Sequence, residues 1–409
     1  MSRLRFHLFT ILALGLISVP DIAWSVGPIR FRIIDLVVIL IVILSLSFGP
    51  QVRVSKLDVR FLLPLVGILV YAFALMLIQA YPVGNSIVDG IELLEIIVLY
   101  VSIIHILRRS DKGFVHSILH IIAIWTTISS LAGIIAYMLT GTRLVYFSFV
   151  VGLPAFSVFY FTTMYMRTSQ LRYVLFCVVV VLRILFTESR SIWIAIVGAI
   201  VLIRIIDGLP PLRETRGKLI PLVSGIGIVS LVALLSTPGL VSRILSLVRG
   251  NEFLFARPVI YTSGVQLLSE YGLGVGLGNF TPAVTEAAKS GSLSFPLWFR
   301  NIAGQEIIYY SLDRLAAGQW GPHSDLIKFT LELGIVGAVL FTAFWISIIR
   351  LVIISGHSKI GTPLRMSLIY FGIQSGINGI LLSRGEGTVV VLLLAILVIH
   401  YSMDSMESL

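Results

Sequence analysis

Arg190 and Arg384 each lie in a short link between apolar runs, Arg257 lies in a long polar stretch, and His323 stands where apolar sequence resumes. A guanidinium presents a planar fork of N–H donors that matches phosphate or carboxylate oxygens two at a time. A neutral imidazole can take a proton from a hydroxyl. Such a set could hold an anionic leaving group and activate a hydroxyl beside it.

The local sequence gives each residue a second, plainer reading. Arg190, in Phe186-Thr187-Glu188-Ser189-Arg190-Ser191-Ile192-Trp193, could be an interfacial cation beside an aromatic-belt Trp, with Glu188 pairing with it or with Arg183 deeper in the same run. An intramembrane Arg183 is costly and needs a partner or a role. Pro258 suits a first helical turn, which predicts Arg257 at the N-terminus of a short amphipathic helix, a good anion site. The run Gly272-Leu273-Gly274-Val275-Gly276-Leu277-Gly278-Asn279 lacks the spacing and the preceding strand of a dinucleotide fingerprint. It reads as a turn permitting close backbone approach, with phosphate cradling as the lesser option. His323 could be a solvated neighbour of a helix cap formed by Ser324 or Asp325. Lys328 and Glu332, four apart, could pair inside a helix bundle. Asp89, Glu92 and Glu95 fall roughly on one helical face; pairing with a neighbouring Arg is one account, acceptor binding or proton handling the other.

The elements that must position these groups are membrane helices. The chain of 409 residues is 57% hydrophobic and 12% charged, with a mean hydropathy of +1.01. A soluble protein of that composition would lack the polar surface to stay dispersed. A span takes about 20 apolar residues, fewer with snorkelling ends. The apolar runs are Leu8–Trp24, Ile33–Phe48, Phe61–Ala80, Ile87–Leu107, Ser117–Leu139, Val145–Met164, Tyr173–Phe186, Ile192–Ile206, Ile220–Leu235, Leu326–Ile349, Met366–Leu382 and Thr388–Tyr401. They predict an all-α integral membrane protein of about twelve transmembrane helices. Residues 1–235 hold the first nine, 236–322 form one large outer loop with short amphipathic helices, and 323–409 hold the last three. The period of a β-barrel is absent.

Charge sets the orientation. With the N-terminus in the cytoplasm, the inner loops receive seventeen Lys and Arg and the short outer links five: Arg30, Arg32, Arg143, Arg190 and Arg384. This positive-inside bias predicts both termini inside and accounts for the net charge of +10 without nucleic acid. Arg190, Arg257, His323 and Arg384 then converge on the outer face. The one cysteine, Cys177, permits neither a disulfide nor a cysteine metal site. No small-residue cleavage site follows Leu8–Trp24, so that run reads as a retained helix rather than a signal peptide.

Three pieces, "TESRSIW", "ARPVIY…GLGVGLGNF" and "PHSDLIKFTLELGIVG", taken in this order and on this topology, resemble the O-antigen ligase and polymerase family of bacterial envelope glycan assembly. The match is concentrated between about Leu185 and Leu340. The family's pattern has Asn after its histidine, where this chain has Ser324.

The resemblance implies a GT-C-like glycosyltransferase of the bacterial inner membrane. It would move a glycan from undecaprenyl diphosphate to an acceptor sugar hydroxyl on the periplasmic side, without cofactor or metal. It implies His323 as the catalytic group and Arg190, Arg257 and Arg384 as diphosphate ligands, Arg384 being the weaker because Glu386 can neutralise it. Glu188, Asp325, Glu92 and Glu95 remain for acceptor binding or structural support. A polymerase would extend another lipid-linked repeat, with a chain-length regulator as a further partner; a ligase would use the lipid A core. The rival of another class is a lipid-linked oligosaccharide flippase, against which stands the lack of an internal repeat.

Overall fold

The computed structural model describes residues 3–18, 23–26, 29–49, 54–78, 83–140, 153–187, 189–207, 253–290, 292–295, 300–301, 305–316, 324–356, 360–378, 381 and 384–407, with isolated positions between 224 and 228. Within these, helices dominate: α1 (Arg3–Ser18), α2 (Ile33–Leu46), α3 (Lys56–Ile78), α4 (Val83–Leu107), α5 (Lys112–Thr140), α6 (Leu153–Thr168), α7 (Leu171–Phe186) and α8 (Arg190–Asp207). Then come α9 (Phe253–Glu270), α10 (Phe280–Lys289), α11 (Gln305–Ala316), α12 (Asp325–Ile354), α13 (Gly361–Asn378) and α14 (Arg384–Glu407). The expected span Ile220–Leu235 lies almost wholly outside the described residues.

The all-α expectation holds across the described residues apart from one hairpin near the N-terminal end, where β1 (Ala23–Val26) and β2 (Ile29–Arg32) pair antiparallel with Trp24 opposite Phe31. Trp24, the expected end of the first helix, therefore lies in β1, and the described part of α1 ends at Ser18. A short run of apolar residues fits a strand as well as a helix, and hydropathy alone does not separate them.

Among the described residues, four helices, at Lys56–Ile78, Lys112–Leu139, Asp325–Ile354 and Glu386–Asp404, are long and apolar enough to cross a membrane. Their outward faces agree with lipid contact. Leu63, Val70, Phe73 and Leu77 on α3 are all more than half exposed at helical spacing, as are Ile335 and Val339 on α12. Water would penalise such stripes at about 25 cal/mol per Å² of apolar surface. α14 is the opposite case, with Val389 to Ile399 buried on every side among α4, α13, α1 and α5. A helix apolar all round belongs at the centre of the bundle, and there it sits.

The two ends of the bundle carry different chemistry. At one end Arg5 donates to Ser47 O at 2.7 Å, and Arg108 pairs with buried Asp58, which also accepts from Tyr100 OH at 3.1 Å. Lys112 meets Asp404 at 2.9 Å and Arg365 meets Asp207 at 2.6 Å. These basic residues tie helix ends to neighbouring helices distant in sequence. The other end, roughly 30 Å away along α4 at 1.5 Å per residue, receives the polar segment α9–α11 and the start of α12.

Candidate functional site

The start of α12 is fixed by Ser324 and Asp325. Ser324 is the N-cap, its Oγ accepting from Ile327 N at 3.4 Å. Asp325, the first residue of α12, is buried. Its Oδ2 accepts from Ser375 Oγ on α13 at 2.6 Å and from Leu381 N at 2.8 Å. One carboxylate thus ties the segment following His323 to the segment preceding Arg384, the first residue of α14. α8, which begins at Arg190, packs along α13, where Gly198 admits the Ile373 side chain.

One turn further along α12, Lys328 Nζ reaches Asp89 Oδ2 on α4 at 2.7 Å. The expected pairing of Lys328 with Glu332 is therefore replaced by an interhelical bridge to Asp89, with the Glu332 charge nearby. The Glu332 carboxylate turns instead to the polar segment. Its Oε1 accepts from Phe280 N at 3.3 Å and the group also accepts from the Gly278 amide, while Oε2 is buried with no hydrogen bond among the described residues. Asn279 occupies the N-cap position of α10 and makes no side-chain cap bond. Glu332 supplies that acceptor from another helix, where the helix dipole favours an anion.

The glycine run Gly272–Asn279 docks across α4 and α12. Gly334 has φ 60° and ψ −157°, which breaks the helical ladder of α12. The freed carbonyls of Leu331 and Glu332 accept from Val275 N at 3.1 Å and Gly276 N at 2.7 Å. A Cβ on Gly274 would lie 2.4 Å from Glu332 O, and one on Gly334 would lie 2.5 Å from Gly272 O. Close backbone approach is what these glycines provide, as expected from sequence. α4 adds Ser86 Oγ donating to Leu277 O at 2.7 Å, and Asn279 Nδ2 donates to Ser86 Oγ at 3.2 Å.

α9, α10 and α11 form a small core of their own on this platform, around Ile260, Leu267, Phe280 and Val284, with Leu331 of α12 entering it. Arg257 is the fifth residue of α9, so the expectation that it opens a helix is corrected: the helix begins at Phe253. Pro258 falls in the second turn, where its missing N–H removes one intrahelical bond rather than marking the start. A groove of about 410 Å³ follows the polar face of α10, lined by Thr281, Pro282, Thr285, Glu286 and Lys289.

Around Arg190 the chain turns tightly. Thr187 N bonds Arg183 O at 3.1 Å, Trp193 Nε1 donates back to Ile184 O at 3.2 Å, and Arg190 opens α8. Arg183 is buried and donates to Ser129 O on α5 at 3.3 Å. His323 and Glu188 lie outside the described residues, as do the side chains of Arg190, Arg257 and Arg384. Glu92 and Glu95 are half-buried on α4, below Asp89. What sequence reasoning missed is the Glu332 cap on α10; the one local signal was a carboxylate two residues before a glycine inside an apolar helix.

A helical bundle with apolar outward faces and a polar segment docked at one end is consistent with an integral membrane protein. Residues 174–342, less than half of the chain, match the family model described as O-antigen ligase. The matched stretch contains Arg190, Arg257 and His323 and supports assigning the chain to the O-antigen ligase and polymerase family. No curated protein matches the chain.

Proposed function

We propose that this protein is a membrane glycosyltransferase that moves a glycan from undecaprenyl diphosphate to a sugar hydroxyl of an acceptor glycan. The reading puts the reaction at the periplasmic face of the bacterial inner membrane, with both termini in the cytoplasm. The observation that carries it is the family match over residues 174–342, which takes in both arginines and the histidine singled out for their chemistry.

In this reaction the acceptor oxygen attacks the anomeric carbon of the donor sugar. The bond from that carbon to the diphosphate oxygen breaks, and the electron pair leaves with the diphosphate. Arg190 and Arg257, helped by Arg384, are assigned to the developing phosphate charge, where fixed guanidinium groups act most strongly. His323 is assigned to take the hydroxyl proton or hold that hydroxyl in line. The leaving group is already activated, so neither nucleotide nor metal enters the scheme. Glu92 and Glu95 are assigned to acceptor binding or support, and Glu188 to holding an arginine.

Polymerisation of lipid-linked repeats, with a chain-length regulator as a further partner, is preferred slightly over ligation to lipid A core. Purified protein, a lipid-diphosphate glycan and each acceptor in turn, without nucleotide and with chelator, provide the test. Transfer to a second lipid-linked repeat supports polymerase, and transfer to core lipid supports ligase. Passage of the donor across liposomes without any transfer would replace both by the flippase reading. Activity abolished by chelator would contradict the metal-free scheme.

A further inference from the structure

We infer that Glu332 is a positioning residue for glycan transfer, holding the segment that bears Arg257 against the helix that begins just after His323. The inference rests on the transferase reading above. Four observations meet at this residue. Its carboxylate caps α10 from outside, through Phe280 N at 3.3 Å and the Gly278 amide. Its own carbonyl accepts from Gly276 N at 2.7 Å, so both ends of the residue grip the same loop. It is 1% exposed, which removes water as a competing partner. The break at Gly334 stands two residues on, and only with the loop docked are the freed α12 carbonyls served.

Position follows from this grip. α9 carries Arg257 and rests on α12 where Gly264 faces Leu331, the residue before Glu332. α10 packs on α9 through the shared core of Ile260, Phe280 and Val284. Releasing the start of α10 therefore loosens α9, and with it the backbone of Arg257, relative to the start of α12. Misplacement of reacting groups by about 1 Å can cost roughly a hundredfold in rate.

Reach and charge are separable by substitution. Glu332→Gln keeps an oxygen at the same distance for both amides and loses the charge. Glu332→Asp keeps the charge and draws the oxygens back by one methylene. Each variant is purified, its folded fraction measured, and two quantities read: transfer turnover per folded molecule, and hydrogen exchange of the amides of residues 275–280. We expect Glu332→Gln to stay within about twofold of wild type, and Glu332→Asp to exchange faster and turn over roughly tenfold to a hundredfold more slowly. Glu332→Asp turning over like wild type overturns the inference, as does Glu332→Gln proving as slow as Glu332→Asp with exchange unchanged. A purely architectural Glu332 would lower the folded fraction and leave turnover per folded molecule alone. Wild-type protein that transfers nothing would sink the transferase reading and this inference with it, whereas active wild type with an unaffected Glu332→Asp sinks this inference alone.

Discussion

Lys328 Nζ lies 2.7 Å from Asp89 Oδ2, joining α12 to α4 at the end of the bundle where the polar segment docks. Both side chains are about four-fifths shielded, at 19% and 18% exposure. Breaking such a pair leaves one charge without its partner, which costs about 3–5 kcal/mol for a fully buried pair and less here. We expect Lys328→Met and Asp89→Asn each to lower the unfolding temperature in detergent. The double variant should recover part of that loss, and strict additivity of the two losses would refute a direct coupling.

The glycines make a sharper structural test. Gly334 occupies backbone space essentially reserved for glycine, and an added Cβ would meet Gly272 O at 2.5 Å. Gly334→Ala is expected to cost about 1–3 kcal/mol from conformation alone, before the clash. Gly272→Ala has nothing within 4 Å of the added carbon and should change stability by less than about 0.5 kcal/mol. Equal stabilities for the two alanine variants, measured by thermal unfolding, would contradict the docked loop.

Sequence reading did best where the physics is local. Apolar runs marked most described helices, because lipid leaves the backbone no other way to satisfy its hydrogen bonds. It failed at Trp24, where a few apolar residues suit a strand equally well, and at Phe253, since Pro258 drew the expected start of α9 too late. The break at Gly334 was hidden because the apolar pattern runs straight through it. Partnerships across long separations were the least legible. Lys328 had a carboxylate four residues away in sequence, yet it bonds Asp89 from 239 residues away. Glu332 and Phe280 are 52 residues apart, and nothing near either one announces the other.

Topology is open to direct labelling. Cysteines placed at Lys289, exposed at the end of α10, and at Arg213 should behave oppositely toward an impermeant thiol reagent on intact spheroplasts. Lys289 should react and Arg213 should be protected until the membrane is permeabilised. Equal labelling of the two would overturn the orientation.

The arginines assigned to the diphosphate are tested by a change that keeps charge and removes the fork. Arg190→Lys and Arg257→Lys should each lose most transfer activity, because an ammonium cannot make two parallel N–H bonds to phosphate oxygens. Normal turnover by Arg257→Lys would rule out bidentate recognition there. Arg384→Lys should lose less.

The central claim is that His323 acts on the acceptor hydroxyl, and its most direct test is single-turnover transfer by the His323→Ala protein with the lipid-diphosphate donor already bound. General-base assistance is worth about 10²–10⁴-fold, so transfer should fall by that factor while donor binding and membrane insertion remain at wild-type levels. A histidine that merely neighbours a helix cap would cost about 1 kcal/mol of stability or less. Wild-type transfer rates in His323→Ala would contradict the account.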